Sequence, residues 1–365
     1  MTQPEAFEDR NSSTEPGSPD GSPPPSGGAS AARKILIGFA LVVVFGGGYY
    51  LIHHHSRSPL EVAFAGNRHV TLWSTTAQVR EPVTVVNYGT PLDVLQRSEE
   101  QLEVRTTGGV IGWVSDNEVL SADLWLKAKD LDESLDKMPI EASGHTRVIA
   151  NLHILPGRDA VRVRQLQKDI PVDLYLRKPV DVPSTTNAGD SEESSVEPAE
   201  TKKEDWWLVR AHTSKDDSVA GWVLGRFIGL DIPEPLPDYA SSAGVHIVSW
   251  AVLNQVKDST GHIHRQYLVL ASEGPEGQPC DFTMLRAYTW GIKSQRYETA
   301  FVESGLCGML PLHLDAAKQL GGDATFSFQD ESGGAPEVRT YHMRQTIIRR
   351  EREPGESARP GKHAR

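Results

Sequence analysis

After about residue 60 the chain is dominated by short runs in which apolar and polar residues alternate. VTVVNYGTPLDVLQR (residues 83–97) and QLEVRTTGGVIGWV (101–114) set Val, Leu and Thr between Gly and Pro punctuation. That texture predicts strands of a few residues joined by tight turns. It returns over 146–232, and again in six runs over 243–350 such as HIVSWAVLNQV, RQYLVLASE and FTMLRAYTW. A helical period interrupts it at 121–139. There Leu124, Leu131, Leu135 and Met138 share one face, Ser121 stands at the N-cap and Pro139 marks the stop. Ile35–Ile52 fits neither period: 18 residues carry no charge, enough helix to cross a hydrocarbon layer of about 30 Å.

These patterns predict a mainly β chain. In order it has a disordered tail (1–33), a single N-terminal transmembrane helix (34–55), a first small barrel (66–120) and a linking helix (121–139). A second barrel (146–232) follows with a disordered Pro/Ser/Glu-rich insertion (181–204). An antiparallel, sandwich-like β-domain (243–350) and a charged tail (351–365) complete the chain.

Charge adds orientation. Arg33 and Lys34 abut the apolar run on one side, and only Arg57 follows it closely on the other. The positive-inside rule then predicts a cytoplasmic N-terminus and an extracytoplasmic bulk. A net charge of −12 argues against nucleic acid as a partner. Cys280 and Cys307 are the two cysteines, and an exported location predicts a disulfide between them. Neither has a neighbour at zinc-ligand spacing, so no metal or cofactor is expected. His262 and His264 share a strand face, but they follow Ser259-Thr260-Gly261 and read as turn polarity.

The two β segments repeat one another. GTPLDVLQR (Gly89–Arg97) aligns with DIPVDLYLR (Asp169–Arg177). Val104-Arg105 aligns with Val209-Arg210, and Gly112-Trp113-Val114 with Gly221-Trp222-Val223. This pattern resembles the bacterial SH3-like (SH3b) family. The second copy is the closer, with Trp206-Trp207-Leu208-Val209-Arg210 and the opening LHILPGRDA. The first has Gln101-Leu102 where the family places a Trp, and its opening, Thr71-Leu72-Trp73-Ser74, lacks the Arg-x-Gly-Pro element. The order of parts is similar to that of bacterial membrane-anchored proteins in which two SH3b domains flank a helix and precede a β-domain.

The resemblance implies aromatic-lined grooves for cell-wall peptides, glycans or proteins. Its ligand residues here would be Trp206, Trp207, Tyr175, Trp73 and Tyr88, with Trp113 and Trp222 in the barrel cores. Successive strand side chains alternate, so either Trp206 or Trp207 is expected on the outer face, exposed or covered by the acidic insertion. The function expected is a non-catalytic, membrane-anchored envelope protein that binds or scaffolds. Its partners would be the membrane and peptidoglycan or another envelope protein. The alternative is a protein adaptor without a wall ligand. A cell-wall hydrolase is the third reading, and no nucleophile, metal cluster or carboxylate pair stands at convincing spacing for it.

Overall fold

In the computed structural model the described residues are 58–182, 202–214 and 217–351, and from Pro59 onward they belong to one compact unit. The first sheet contains β1 (Glu61–Ala65), β2 (His69–Trp73), β3 (Pro82–Asn87), β4 (Pro91–Ser98), β5 (Gln101–Thr106), β6 (Ile111–Ser115) and β7 (Val119–Ser121), in the order β3-β2-β6-β5-β4-β1-β7. The second contains β8 (Ala142–Thr146), β9 (Ala150–His153), β10 (Arg162–Leu166), β11 (Pro171–Asp181), β12 (Lys203–Ser214), β13 (Asp217–Leu224) and β14 (Ile228–Leu230), in the order β10-β9-β13-β12-β11-β8-β14. The two orders match strand for strand, the spatial counterpart of the sequence repeat.

The Gly-Trp-Val triplets show why. Period two turns Gly112 and Val114 inward and leaves Trp113 half-buried outside; Gly221, Val223 and Trp222 do the same. Trp113 and Trp222, expected in the cores, are half-buried, and Trp222 packs against the buried cluster of Leu135, Tyr175, Leu208 and Ala220. The glycines are what the interior requires. A Cβ on Gly221 would lie 2.5 Å from Leu152 Cγ and 2.8 Å from the His153 carbonyl oxygen, and one on Gly112 2.9 Å from Leu72 Cβ. Gly221→Ala is expected to lower the free energy of unfolding by about 1–3 kcal/mol through overpacking. Urea titration reads this, and an unchanged midpoint would mean that the two strands can part without cost.

Between the sheets runs α1 (Ala122–Leu135), where the Ser121 hydroxyl accepts from the Leu124 N–H at 3.2 Å. Leu135 is buried there with Tyr175, Leu208 and Ala220 of the second sheet. Phe64 stacks on Trp125 at 5.0 Å, so the helix also packs on the first sheet.

After α2 (Leu236–Ser242), the third sheet is a meander in strict sequence order. Its strands are β15 (His246–Lys257), β16 (Ile263–Ser272), β17 (Phe282–Gly291), β18 (Arg296–Asp315), β19 (Ala324–Asp330), β20 (Glu337–Arg344) and β21 (Ile347–Arg350). One face holds a core of Leu268, Leu270, Phe282, Phe326, Phe328 and Tyr341. The sandwich-like domain expected here is corrected to a single seven-stranded antiparallel sheet.

The expected membrane span is corrected as well. No helix among the described residues is long and apolar enough to cross a membrane; the two present have 14 and 7 residues. The run Ile35–Ile52 itself lies outside the described residues, as do 1–33 and most of the insertion and C-terminal tail. The strands flanking the insertion reach further than expected, to Asp181 and from Lys203.

Candidate functional site

Strand alternation splits β16 between two cores. Leu268 and Leu270 enter the interior, while Tyr267, Val269 and Ala271 take the opposite face. On β17 the same period places Met284, Arg286, Tyr288 and Trp290 on that second face. Registers align them: Tyr288 sits opposite Tyr267 on one side and Thr299 on the other, and Trp290 opposite Tyr297. Part of this face is covered by α2, whose Leu236 and Ala240 are buried with Tyr267, Val269, Met284 and Tyr288.

Beyond the helix the rings continue as a connected series. Trp250 meets Tyr267 edge-on at 6.1 Å, and Tyr267 meets Tyr297 at 5.8 Å. Tyr297 meets Trp290 at 5.2 Å, and Trp290 stacks on His264 at 3.7 Å. The indole N–H groups of Trp250 and Trp290 reach no acceptor among the described residues, an unusual state for buried donors.

Where helix and rings meet lies a hollow of ≈ 350 Å³, lined by Tyr239, Ser242, Ala243, Arg286, Tyr288, Tyr297 and Thr299. That is within the size range of ligand pockets, about 300–1,000 Å³. Tyr239 and Tyr288 stack at 5.3 Å. Arg286 is half-buried; its Nε–H donates to Met284 Sδ at 3.3 Å, and its guanidinium forms no ion pair among the described residues. Burial, with Tyr267 adding to it, pushes the Tyr297 hydroxyl up to about 12. It is a neutral hydroxyl, able to donate, across the physiological range.

The residues singled out from the sequence do not converge. Trp73 is half-buried with the Arg80 guanidinium 4.4 Å above its ring. Tyr88 joins the two barrels: Arg164 lies 4.2 Å over its face and Trp125 meets its edge at 5.1 Å. Burial, against the pull of Arg164, pushes the Tyr88 hydroxyl up to about 12. Tyr175 is buried beneath α1.

Neither tryptophan of the adjacent pair faces out, with Trp206 3% and Trp207 8% exposed. β12 is buried on both faces. Trp207 joins the second-barrel core with Val209, while Trp206 packs edge-on against His153 at 5.3 Å. An exposed outer ring is ruled out, because alternation guarantees two faces, not solvent on one of them; the covering insertion, residues 183–201, lies outside the described residues. What the expectation missed is the third sheet. Its signal was the alternation Met284-x-Arg286-x-Tyr288-x-Trp290, which puts a cation and two rings on one face.

Cys280 and Cys307 form a disulfide, so neither offers a free thiol. His264 Nε2 and Asp258 Oδ2 lie 2.9 Å apart. The Asp258 carboxyl, bonded by His264 and Thr260, is held well below the usual carboxylate range. No group of three or more His, Cys, Asp or Glu able to hold a metal ion occurs among the described residues.

No family model and no curated protein matches this chain. Among solved structures it is similar to NlpC2 from Trichomonas vaginalis, at 9% identity over 80% of this chain and 99% of that one, with a TM-score of 0.16. An NlpC/P60 family protein from Bacillus cereus ATCC 10987 is similar at 13% identity over 53% and 65%, TM-score 0.19. NlpC1 from Trichomonas vaginalis is similar at 12% identity over 78% and 92%, TM-score 0.15. Likeness at this level assigns neither fold nor activity.

The expected function is nonetheless corrected. A membrane-anchored, extracytoplasmic scaffold acting through SH3b grooves finds no spanning helix among the described residues.

Proposed function

We propose that this protein recognises an acidic saccharide in the tyrosine-lined hollow of the third sheet. The observation that carries this reading is Arg286, a half-buried cation without a carboxylate partner among the described residues. A guanidinium in such a place suits an incoming carboxylate. The rings of Tyr239 and Tyr297 offer flat apolar surface at low entropic cost, while Ser242, Thr299 and the tyrosine hydroxyls offer partners for sugar hydroxyls. The lining contains no Asp, Glu, His or Cys, so the reading is of binding without a chemical step.

Isothermal titration of the purified chain with a uronic-acid oligosaccharide and its neutral carboxyl-reduced counterpart tests it. The acidic form is expected to bind about tenfold tighter or more, and Arg286→Gln to erase that preference. Tyr297→Ala weakens both forms, and Trp73→Ala changes neither. Equal binding of the two oligosaccharides, or of neither, would overturn the assignment.

A further inference from the structure

A second cavity, of ≈ 310 Å³, opens where the second barrel meets the start of the third sheet. Its floor is apolar: Leu174, Trp207 and Ile228 from the barrel, Ile232 from the connection, and Ile247 from β15. Charges stand around the rim and come from opposite walls. The barrel wall contributes Arg147, Arg177 and Asp205; the other contributes His246 and Glu276.

Arg177 is fully engaged. It bonds Asp205 at 2.6 Å, Asp281 at 3.0 Å and the carbonyls of Gln278 and Cys280. Arg147 is not. Its backbone N–H donates to the Phe227 carbonyl at 2.8 Å, which fixes the residue beside β14. A Cβ on Gly229 would sit 3.1 Å from Arg147 Nε, so the bare glycine gives the guanidinium room to lie there. Asp231, across the same strand pair, is taken by His145 at 2.7 Å. Among the described residues the Arg147 side chain thus makes no hydrogen bond or ion pair, and neither does that of Glu276. Burial holds the His246 imidazole below its ordinary value, so it adds no cation at neutral pH. The rim therefore presents one unengaged cation on the barrel wall and one unengaged carboxylate on the other, above an apolar floor.

We propose that this cleft binds a small zwitterion with a large apolar side chain, of the class of the free apolar α-amino acids. The carboxylate meets Arg147, the ammonium meets Glu276, and the side chain lies on the floor of Leu174, Trp207 and Ile247. Requiring both charges separates a free amino acid from either end of a peptide, each of which lacks one of them. The site is independent of the hollow on the third sheet.

Calorimetric titration of the full chain with L-leucine, N-acetyl-L-leucine and L-leucinamide tests the pairing of charges. Leucine is expected to bind about tenfold tighter or more than either derivative. Arg147→Gln should bind leucine and leucinamide alike, and Glu276→Gln should bind leucine and N-acetyl-leucine alike. Both positions are exposed, and unchanged urea midpoints would show that the fold persists. Absence of saturable leucine binding overturns the proposal. So does either derivative binding wild type as tightly as leucine, or a variant keeping the discrimination it should lose.

Discussion

Between pH 5 and pH 8 the protein is expected to lose stability steadily, and Glu141 is the reason. Its side chain lies at the junction of the second barrel with the third sheet and is 4% exposed. Both carboxyl oxygens lie within 3.2 Å of a single donor, the Leu312 N–H. Its own carbonyl accepts from the Ser249 hydroxyl. Burial, more than the Leu312 bond can offset and with Asp281 adding repulsion, pushes the carboxyl from an ordinary 4.5 to about 8.

The unfolded chain releases that proton near 4.5, whereas the folded chain keeps it until about 8. In that window the folded state binds more protons, so stability falls as pH rises, by up to about 1.4 kcal/mol per unit. The loss is complete above the folded value and amounts to a few kcal/mol. Glu204 works in the opposite sense. Arg158 and Arg226 hold it at about 2, so its contribution is present above the ordinary carboxylate range and fades as the solution is acidified toward 2. A stability maximum near pH 5 follows. Urea midpoints at pH 5.5, 7 and 8.5 should fall in that order for wild type and stay nearly level for Glu141→Gln. A wild-type midpoint that does not move over this range would show that Glu141 is solvated or already ionised.

Arg177→Ala is expected to cost about 3–5 kcal/mol, the usual consequence of removing one member of a buried ionic cluster. The guanidinium is 5% exposed, and its partners Asp205 and Asp281 are 13% and 4% exposed. Losing it strands two carboxylates among residues that exclude water. Burial already raises the Asp281 carboxyl, while Arg177 and the Leu310 N–H restrain it. Without the arginine the group rises further and becomes protonated more readily. The variant should therefore recover part of its loss at acid pH, where a neutral Asp281 is cheaper to bury. Paired denaturation curves at pH 5 and pH 8 read both effects. A loss under 1 kcal/mol at both would mean that water takes the place of the guanidinium. Since Arg177 lies on β11 and Asp281 just before β17, the variant also probes how the barrel holds the third sheet.

Much of the architecture could be read from the chain because it depends on near neighbours. Alternation in QLEVRTTGGVIGWV fixes which side chains share a face, whatever surrounds the strand. Ser121 caps α1 through an N–H three residues away. The repeat of Gly112 and Gly221 signals one strand geometry used twice, and both glycines do meet a Leu of the neighbouring strand. The ring-bearing face of β17 is equally present in its spacing, Met284-x-Arg286-x-Tyr288-x-Trp290.

What surrounds those faces depends on residues far apart in the chain, and sequence alone could not supply it. Trp206 and Trp207 alternate as any strand pair must; both are buried because β12 is covered on each side. Arg177 finds Asp281 across 104 positions, and Glu141 meets Leu312 across 171. Local pattern determined the strands, the repeat, the cap and the two faces of each sheet. Tertiary packing decided which face keeps water, which arginines find carboxylates, and which carboxyl keeps its proton. Desolvation and pairing act through space, so the residues that set them need not be close in sequence.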